Sequence, residues 1–247
     1  MSRVAFSDLR MAAYCPRKLY YARTTDADRE PPPRVDGVRS LTTRYEDLLE
    51  ASDATLEAEP IVPDPSVYRA RLARTRDRLQ THETTRVRTD DEQRSDPDGQ
   101  PVIVDRWDDC CHPADTDVFV LGRECHGIVQ KVLEEPLEPV LVSAGEPPPQ
   151  GVWKPQRVHA VAAAKALAWE RERRVGGAWF EYPAHGVIRY VPMTTRRKAE
   201  YRRTIRTVAE LDGPPARLQN RAKCEACEYS AECGVRTRSL RSLLGFG

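Results

Sequence analysis

Residues 127–173 read GIVQKVLEEPLEPVLVSAGEPPPQGVWKPQRVHAVAAAKALAWERER, and two periodicities meet in them. Gly127 to Leu133 and Pro139 to Ser143 are short β-branched runs bounded by turn residues, the pattern of neighbouring strands. Val158 to Arg173 reads as a helix whose alanines at 160, 162, 163, 164, 166 and 168 let one face pack closely on a sheet. Working outward, Pro101 to Asp105 and Val118 to Leu121 add strands before this block. Ala178 to Tyr182 and Val187 to Val191 form a strand pair after it, and Thr194 to Leu211 is a charged amphipathic helix. Upstream, Ser7 to Ala22 reads as a helix capped by Ser7 with Asp8 in its first turn. It is interrupted at Cys15-Pro16, because proline disfavours helical geometry in the residue before it. Leu41 to Ala51 and the arginine-rich Tyr68 to Leu79 read as further helices, whereas Thr24 to Asp36 and Thr81 to Gly99 read as loops, the latter mobile. The order helix, strands, helix, strands, helix predicts an α/β fold, a mixed sheet with helices on both faces.

A chain of 247 residues that is 40% hydrophobic can bury one core, so a single domain over 1–247 is expected. A net charge of +1 gives no global electrostatic case for a polyanionic partner. Of the 39 basic residues only six are lysines, a skew that base composition alone can produce. No run of about 20 apolar residues appears, and Met1 to Arg10 lacks the pattern of a signal peptide, so no membrane association and a cytoplasmic location are expected. In a reducing compartment, seven irregularly spaced cysteines read as ligands or buried thiols rather than disulfides.

Residues 223–233, KCEACEYSAEC, place Cys224, Cys227 and Cys233 in one short loop. Three local thiols plus one distant thiol complete either an iron–sulfur cubane or an all-thiolate zinc site. Cys15 is the best fourth ligand, since the break before Pro16 turns its thiol outward; Cys110, Cys111 and Cys125 compete with it. The reading favours a [4Fe-4S] cluster, with zinc as the alternative. Residues 1–23 would supply the first cysteine and 214–235 the other three, tying the chain's ends together. Cys110, Cys111, His112, Cys125 and His126 read as buried or surface residues rather than as a second site.

With those residues in hand, the chain resembles the CRISPR-associated RecB-like exonucleases, the Cas-four family. The resemblance runs over nearly the whole length. It rests on Tyr14-Cys15-Pro16-Arg17 followed by Leu19-Tyr20-Tyr21, on Gly127 to Val132 and Pro139 to Gly145, on the alanine-rich helix, and on the tail cysteines after Pro214-Pro215. It implies the restriction-endonuclease-like PD-(D/E)XK fold, a [4Fe-4S] cluster on the four cysteines, and metal-dependent DNA cleavage. It also implies a catalytic set that this sequence lacks. Tyr45 stands at the histidine position, Gln130 at the aspartate after the Gly-x-x step, Leu141 and Ser143 at Glu-x-Lys, and His159 and Ala163 at Gln-x-x-x-Tyr. Without carboxylates, magnesium or manganese has nothing to hold it.

What the resemblance leaves is binding. Arg196, Arg197, Lys198, Arg202, Arg203 and Arg206 lie on one charged helix and could contact phosphates, and Tyr14, Tyr20, Tyr21 and Trp153 could stack on bases. The expectation is a catalytically silent, DNA-binding or scaffold iron–sulfur protein, with single-stranded DNA and CRISPR adaptation or DNA-repair proteins as partners. The alternatives are an active single-strand exonuclease with a non-standard site, and a redox or partner-interaction protein in which the cluster is the working part.

Overall fold

Pro16 divides the first predicted helix. In the computed structural model, which describes residues 3–25, 33–85 and 101–234, a two-residue strand β1 (Val4–Ala5) leads into α1 (Phe6–Tyr14). Cys15 is then extended at φ −160° and ψ 114°, and α2 (Pro16–Thr24) resumes. Proline opens α2 at a position whose N–H has no intrahelical acceptor anyway. The Ser7 cap expected from sequence is not made. The helix starts at Phe6 and its cap position is Ala5, two residues before Ser7, without a side-chain cap, although Asp8 does lie in its first turn.

The stretch read as a loop over Thr24 to Asp36 ends in α3 (Pro33–Ser40), while 26–32 lies outside the described residues. The helix expected over Leu41 to Ala51 is split into a 3-10 turn, Leu41–Thr43, and α4 (Tyr45–Glu50). After α5 (Asp53–Glu57), capped by Ser52, comes α6 (Pro65–Gln80), which contains the predicted Tyr68 to Leu79. The segment read as a mobile loop begins instead with a strand, β2 (His82–Thr85); 86–100 lies outside the described residues. Its partner β3 (Pro101–Val104) was expected in the main sheet but pairs with β2 alone, as a two-stranded ribbon. An unanticipated helix, α7 (Arg106–Cys111), follows because the Asp105 carboxylate accepts from the N–H groups of Trp107 and Asp108, the usual solution for the orphan donors of a helix start.

The main sheet is an antiparallel meander of β4 (Asp115–Leu121), β5 (Cys125–Glu134) and β6 (Leu137–Val142). From it α8 (Lys154–Glu170) crosses to β7 (Gly177–Tyr182), which runs parallel to β6. β8 (Val187–Pro192) returns antiparallel to β7, and α9 (Thr195–Ala209) and α10 (Arg221–Glu225) follow. β1 pairs parallel with the start of β5, Val4 with Cys125 and Ala5 with His126, on the edge opposite β4. The six strands therefore form a mixed sheet.

Helices cover both faces. On one, Phe6 and Leu9 of α1, Val158, Val161 and Leu167 of α8 and Tyr201 of α9 pack on Val129, Leu141 and Phe180. On the other, Tyr45, Tyr68, Leu72 and Trp107 from α4, α6 and α7 pack on Leu133, Val140 and Trp179. The small residues have a stated purpose. A Cβ on Gly122 would sit 2.7 Å from the Ala166 Cα, and one on Gly127 would sit 2.4 Å from the Phe6 ring. Glycine and alanine thus set how near α8 and α1 approach the strands. Among the described residues no helix is long and apolar enough to cross a membrane.

Candidate functional site

Cys15, Cys224, Cys227 and Cys233 line one pocket, together with Tyr14, Arg17, Lys18, Arg217 and Lys223. The chain ends meet here through several bonds. Arg17 Nη1 donates to the Pro215 carbonyl at 2.9 Å, Lys18 pairs with Glu228 at 3.2 Å, and Tyr21 stacks on Tyr229 with centroids 6.2 Å apart. Lys223 lies over the Tyr14 ring at 4.7 Å, and Lys18 lies over the same ring at 5.7 Å. Asn220 caps α10 by accepting from the Lys223 N–H, and turn bonds from Cys227 N to Cys224 O and from Cys233 N to Tyr229 O curl the tail around the pocket. All four cysteines are free thiols. Among the described residues, no group of three or more Cys, His, Asp or Glu is gathered closely enough to hold a metal ion as the chain stands. The donor set is nonetheless chemically apt for a thiolate-held group. Four sulfurs from two distant segments share a pocket with four cationic side chains, which offset the charge that thiolate ligation accumulates.

The competing cysteines lie elsewhere. Cys110 and Cys111 are buried from α7 in one core and Cys125 in the other, so they do not converge. Burial pushes the Cys111 thiol up to about 12 and the Cys125 thiol up to about 11. Cys125 packs against the Ala162 carbonyl and accepts from the Tyr201 hydroxyl at 3.3 Å. His112 is exposed beside Asp108.

Of the positions that the resemblance gives a catalytic role, Gln130, Leu141 and Ser143 lie where β5 and β6 part, whereas Tyr45 packs in the core on the other face. The β5–β6 ladder ends at Lys131 and Val140, and beyond it the Gln130 side chain replaces a ladder bond, its Oε1 accepting from Val142 N at 3.1 Å. Leu141 is fully buried against α1 and α8. The Ser143 hydroxyl accepts from Gly145 N at 3.2 Å and from Gln156 Nε2 at 3.1 Å. Gln156 Oε1 in turn accepts from Trp153 N at 2.9 Å and from the Tyr182 hydroxyl at 2.5 Å. The helical residue facing the strand site is therefore Gln156. His159, which sequence reading put in that place, lies between the rings of Phe6 and Phe180, with both ring nitrogens buried and unbonded. Burial, reinforced by the Arg10 guanidinium, depresses its pKa to about 3.

Two buried polar clusters were not foreseen. Lys131 Nζ donates to Glu181 Oε1 at 3.0 Å and to the carbonyls of Thr42 and Cys110, while the Tyr45 hydroxyl donates to Glu181 Oε2 at 3.0 Å. Lys131 is 1% and Glu181 0% exposed, so this acid–base pair has no access to a substrate. Burial raises the Glu181 carboxyl, and Lys131 and Tyr45 draw it back. Beside it, Glu138 accepts from Arg106, Trp179 and Tyr190. The signal for both clusters was a lone charge inside an apolar strand run: Lys131 in VQKVL and Glu181 in AWFEY for the first, Glu138 in LEPVL for the second.

On α9, Tyr201, Thr204 and Val208 face the core, leaving Arg196, Lys198, Arg202, Arg203 and Arg206 exposed. Arg197 is different, being half-buried and donating to the Pro192 carbonyl at 2.9 Å. Trp153 is exposed at the start of α8. No protein-family model matches this chain, and no curated protein is detectably similar to it.

Proposed function

We propose that the chain is a RecB-like, PD-(D/E)XK-fold protein of the CRISPR-associated kind that has lost hydrolysis and acts by binding single-stranded DNA, with an iron–sulfur clasp joining its ends. The observation that carries this reading is the junction of β5, β6 and α8. Gln130, Leu141 and Ser143 stand there in place of two acids and a lysine, and the polar atoms of Gln130 and Ser143 bond to Val142, Gly145 and Gln156. Magnesium and manganese require oxygen ligands with negative charge, and a neutral, internally bonded junction offers none. The nearby acids Glu138 and Glu181 do not substitute, because they are buried on the opposite side of the sheet from α8 and held by Arg106 and Lys131.

The element order supports the fold assignment. The Gly-x-x step lies on one strand, the degenerate Glu-x-Lys on its neighbour, and the glutamine on the helix that follows. The four shared thiols and their cationic surround support the cluster. When bound it would cross-link the first helices to the tail, and these residues would hold it: Cys15, Cys224, Cys227 and Cys233. Exposed arginines on α9 supply phosphate contacts, and CRISPR adaptation or repair proteins are the fitting partners for such a scaffold.

The test is anaerobic purification with iron and sulfide analysis, then binding and cleavage assays on single-stranded DNA with magnesium or manganese. Iron, sulfide and binding without cleavage are expected. Manganese-dependent degradation abolished by changing one carboxylate would overturn the silent site, and stoichiometric zinc in place of iron would overturn the cluster.

A further inference from the structure

Across the sheet from α9, an open cleft of about 590 Å³ lies between α6, β8 and the 146–149 segment. It continues into a second hollow of about 480 Å³. Arg71, Arg74 and Arg78 are spaced i, i+3, i+7 on α6, so they share a face and span about 10 Å along its axis. Arg189 of β8 faces them from the other wall. None of the four forms an ion pair with a described carboxylate, and Glu146 is the one acid among the residues that line the cleft. Arg78 is anchored by the Ile188 carbonyl, and Arg189 by the carbonyls of Gly151 and Pro149.

Gathering like charges in this way costs stability. Burial lowers the Arg78 guanidinium, and Arg189 lowers it further. The walls are set by close packing, not chance. Thr75 donates to the Gly186 carbonyl, and Gly186 turns at φ 64° where a Cβ would come within 3.2 Å of the Tyr68 carbonyl and the Leu72 backbone nitrogen. The second hollow changes character, for His82, Trp179 and Tyr190 line it with mutual ring distances of 4.8 to 5.2 Å.

We propose that this cleft is a binding groove for the sugar–phosphate backbone of single-stranded nucleic acid, with Arg71, Arg74, Arg78 and Arg189 on successive phosphates and the His82–Tyr190 end receiving a base. A basic track that runs into an aromatic platform is the physical form of single-strand binding, and unpaired guanidinium forks match phosphate oxygens. The inference rests on the nucleic-acid reading above and adds to it a track on a different surface from α9.

The test uses the full chain, purified anaerobically, with a short fluorescent oligothymidylate followed by anisotropy over a salt series. Neither Arg71 nor Arg74 bonds to another element, so R71A/R74A should keep its circular dichroism and iron content. Its affinity should fall about tenfold, and the slope of log K against log salt should flatten by about 1.4, two phosphate contacts at about 0.7 each. R71K/R74K should retain most of the slope, and any loss in R202A/R203A, on α9, should add to the loss in R71A/R74A rather than replace it. Unchanged affinity and slope in R71A/R74A with loss in R202A/R203A overturns the groove and leaves DNA binding standing. No binding by the unaltered protein overturns both. Equal displacement by pyrophosphate and by unlabelled strand overturns the groove in favour of a free-phosphate site.

Discussion

His159 gives the sharpest stability prediction. Both its ring nitrogens are buried without a partner, between Phe6 at 5.4 Å and Phe180 at 6.2 Å, although the residue as a whole keeps some exposure. Its pKa falls to about 3 because burial disfavours the imidazolium, with Arg10 adding to the effect. An unfolded histidine titrates near 6.5. Because the folded value is depressed, the unfolded chain takes up the proton first as pH falls. The stability is therefore fully present above about pH 6.5 and is lost progressively towards pH 3. Between pH 7 and pH 5 the loss is about 2 kcal/mol, and at pH 5 that figure barely depends on how far below 4 the folded value lies. His159→Leu fills the same apolar site without an unbonded nitrogen, so at pH 7.5 it should be as stable as the unaltered protein or more so. Urea unfolding of both proteins from pH 5 to 7.5 isolates the effect. His82 and His185, also depressed chiefly by burial, contribute equally to the two curves and cancel in the difference. Parallel curves for the two proteins would refute the reasoning.

Lys131→Met leaves Glu181 buried without its cation and should cost about 3–5 kcal/mol in urea unfolding, whereas Lys131→Met with Glu181→Leu should recover much of that loss; a double variant no better than the single one would show that packing, not charge, sets the cost. Cys15→Ser should remove most iron and sulfide from anaerobically purified protein, because Cys15 shares the pocket of the tail thiols, while Cys125→Ser should keep it, and the reverse outcome would move the fourth ligand.

What was legible in the sequence was local. Strand-like and helical patterns located β4 to β8, α6 and α9, and the cysteine spacing picked out the tail thiols that share a pocket with Cys15. What was missed depends on partners far along the chain or on helix ends. α7 exists because Asp105 caps it, and a six-residue helix carries too little periodicity to be seen. β3 was read as a strand correctly, but its pairing with β2 rather than the main sheet follows from a contact across residues with no pattern of their own. The start of α8 shows the cost of one such error. The helix was read from Val158, so Gln156 fell outside it. In the fold Pro155 occupies the first turn, where proline is tolerated, and Gln156 accepts from Trp153 N. Those few residues decide which side chain faces Ser143. With His159 there, the junction would hold a titratable group and a potential ligand. With Gln156 there, it holds amides and hydroxyls whose bonds are mutual. Titratable groups near it are buried and paired, as at Lys131 and Glu181, while unpaired charge lies on the outside, on α9 and along the α6 cleft. On the proposed reading, charge placed where a polyanion can reach it, with none at the β5–β6 junction for a metal to use, is what would separate binding a strand from cutting it.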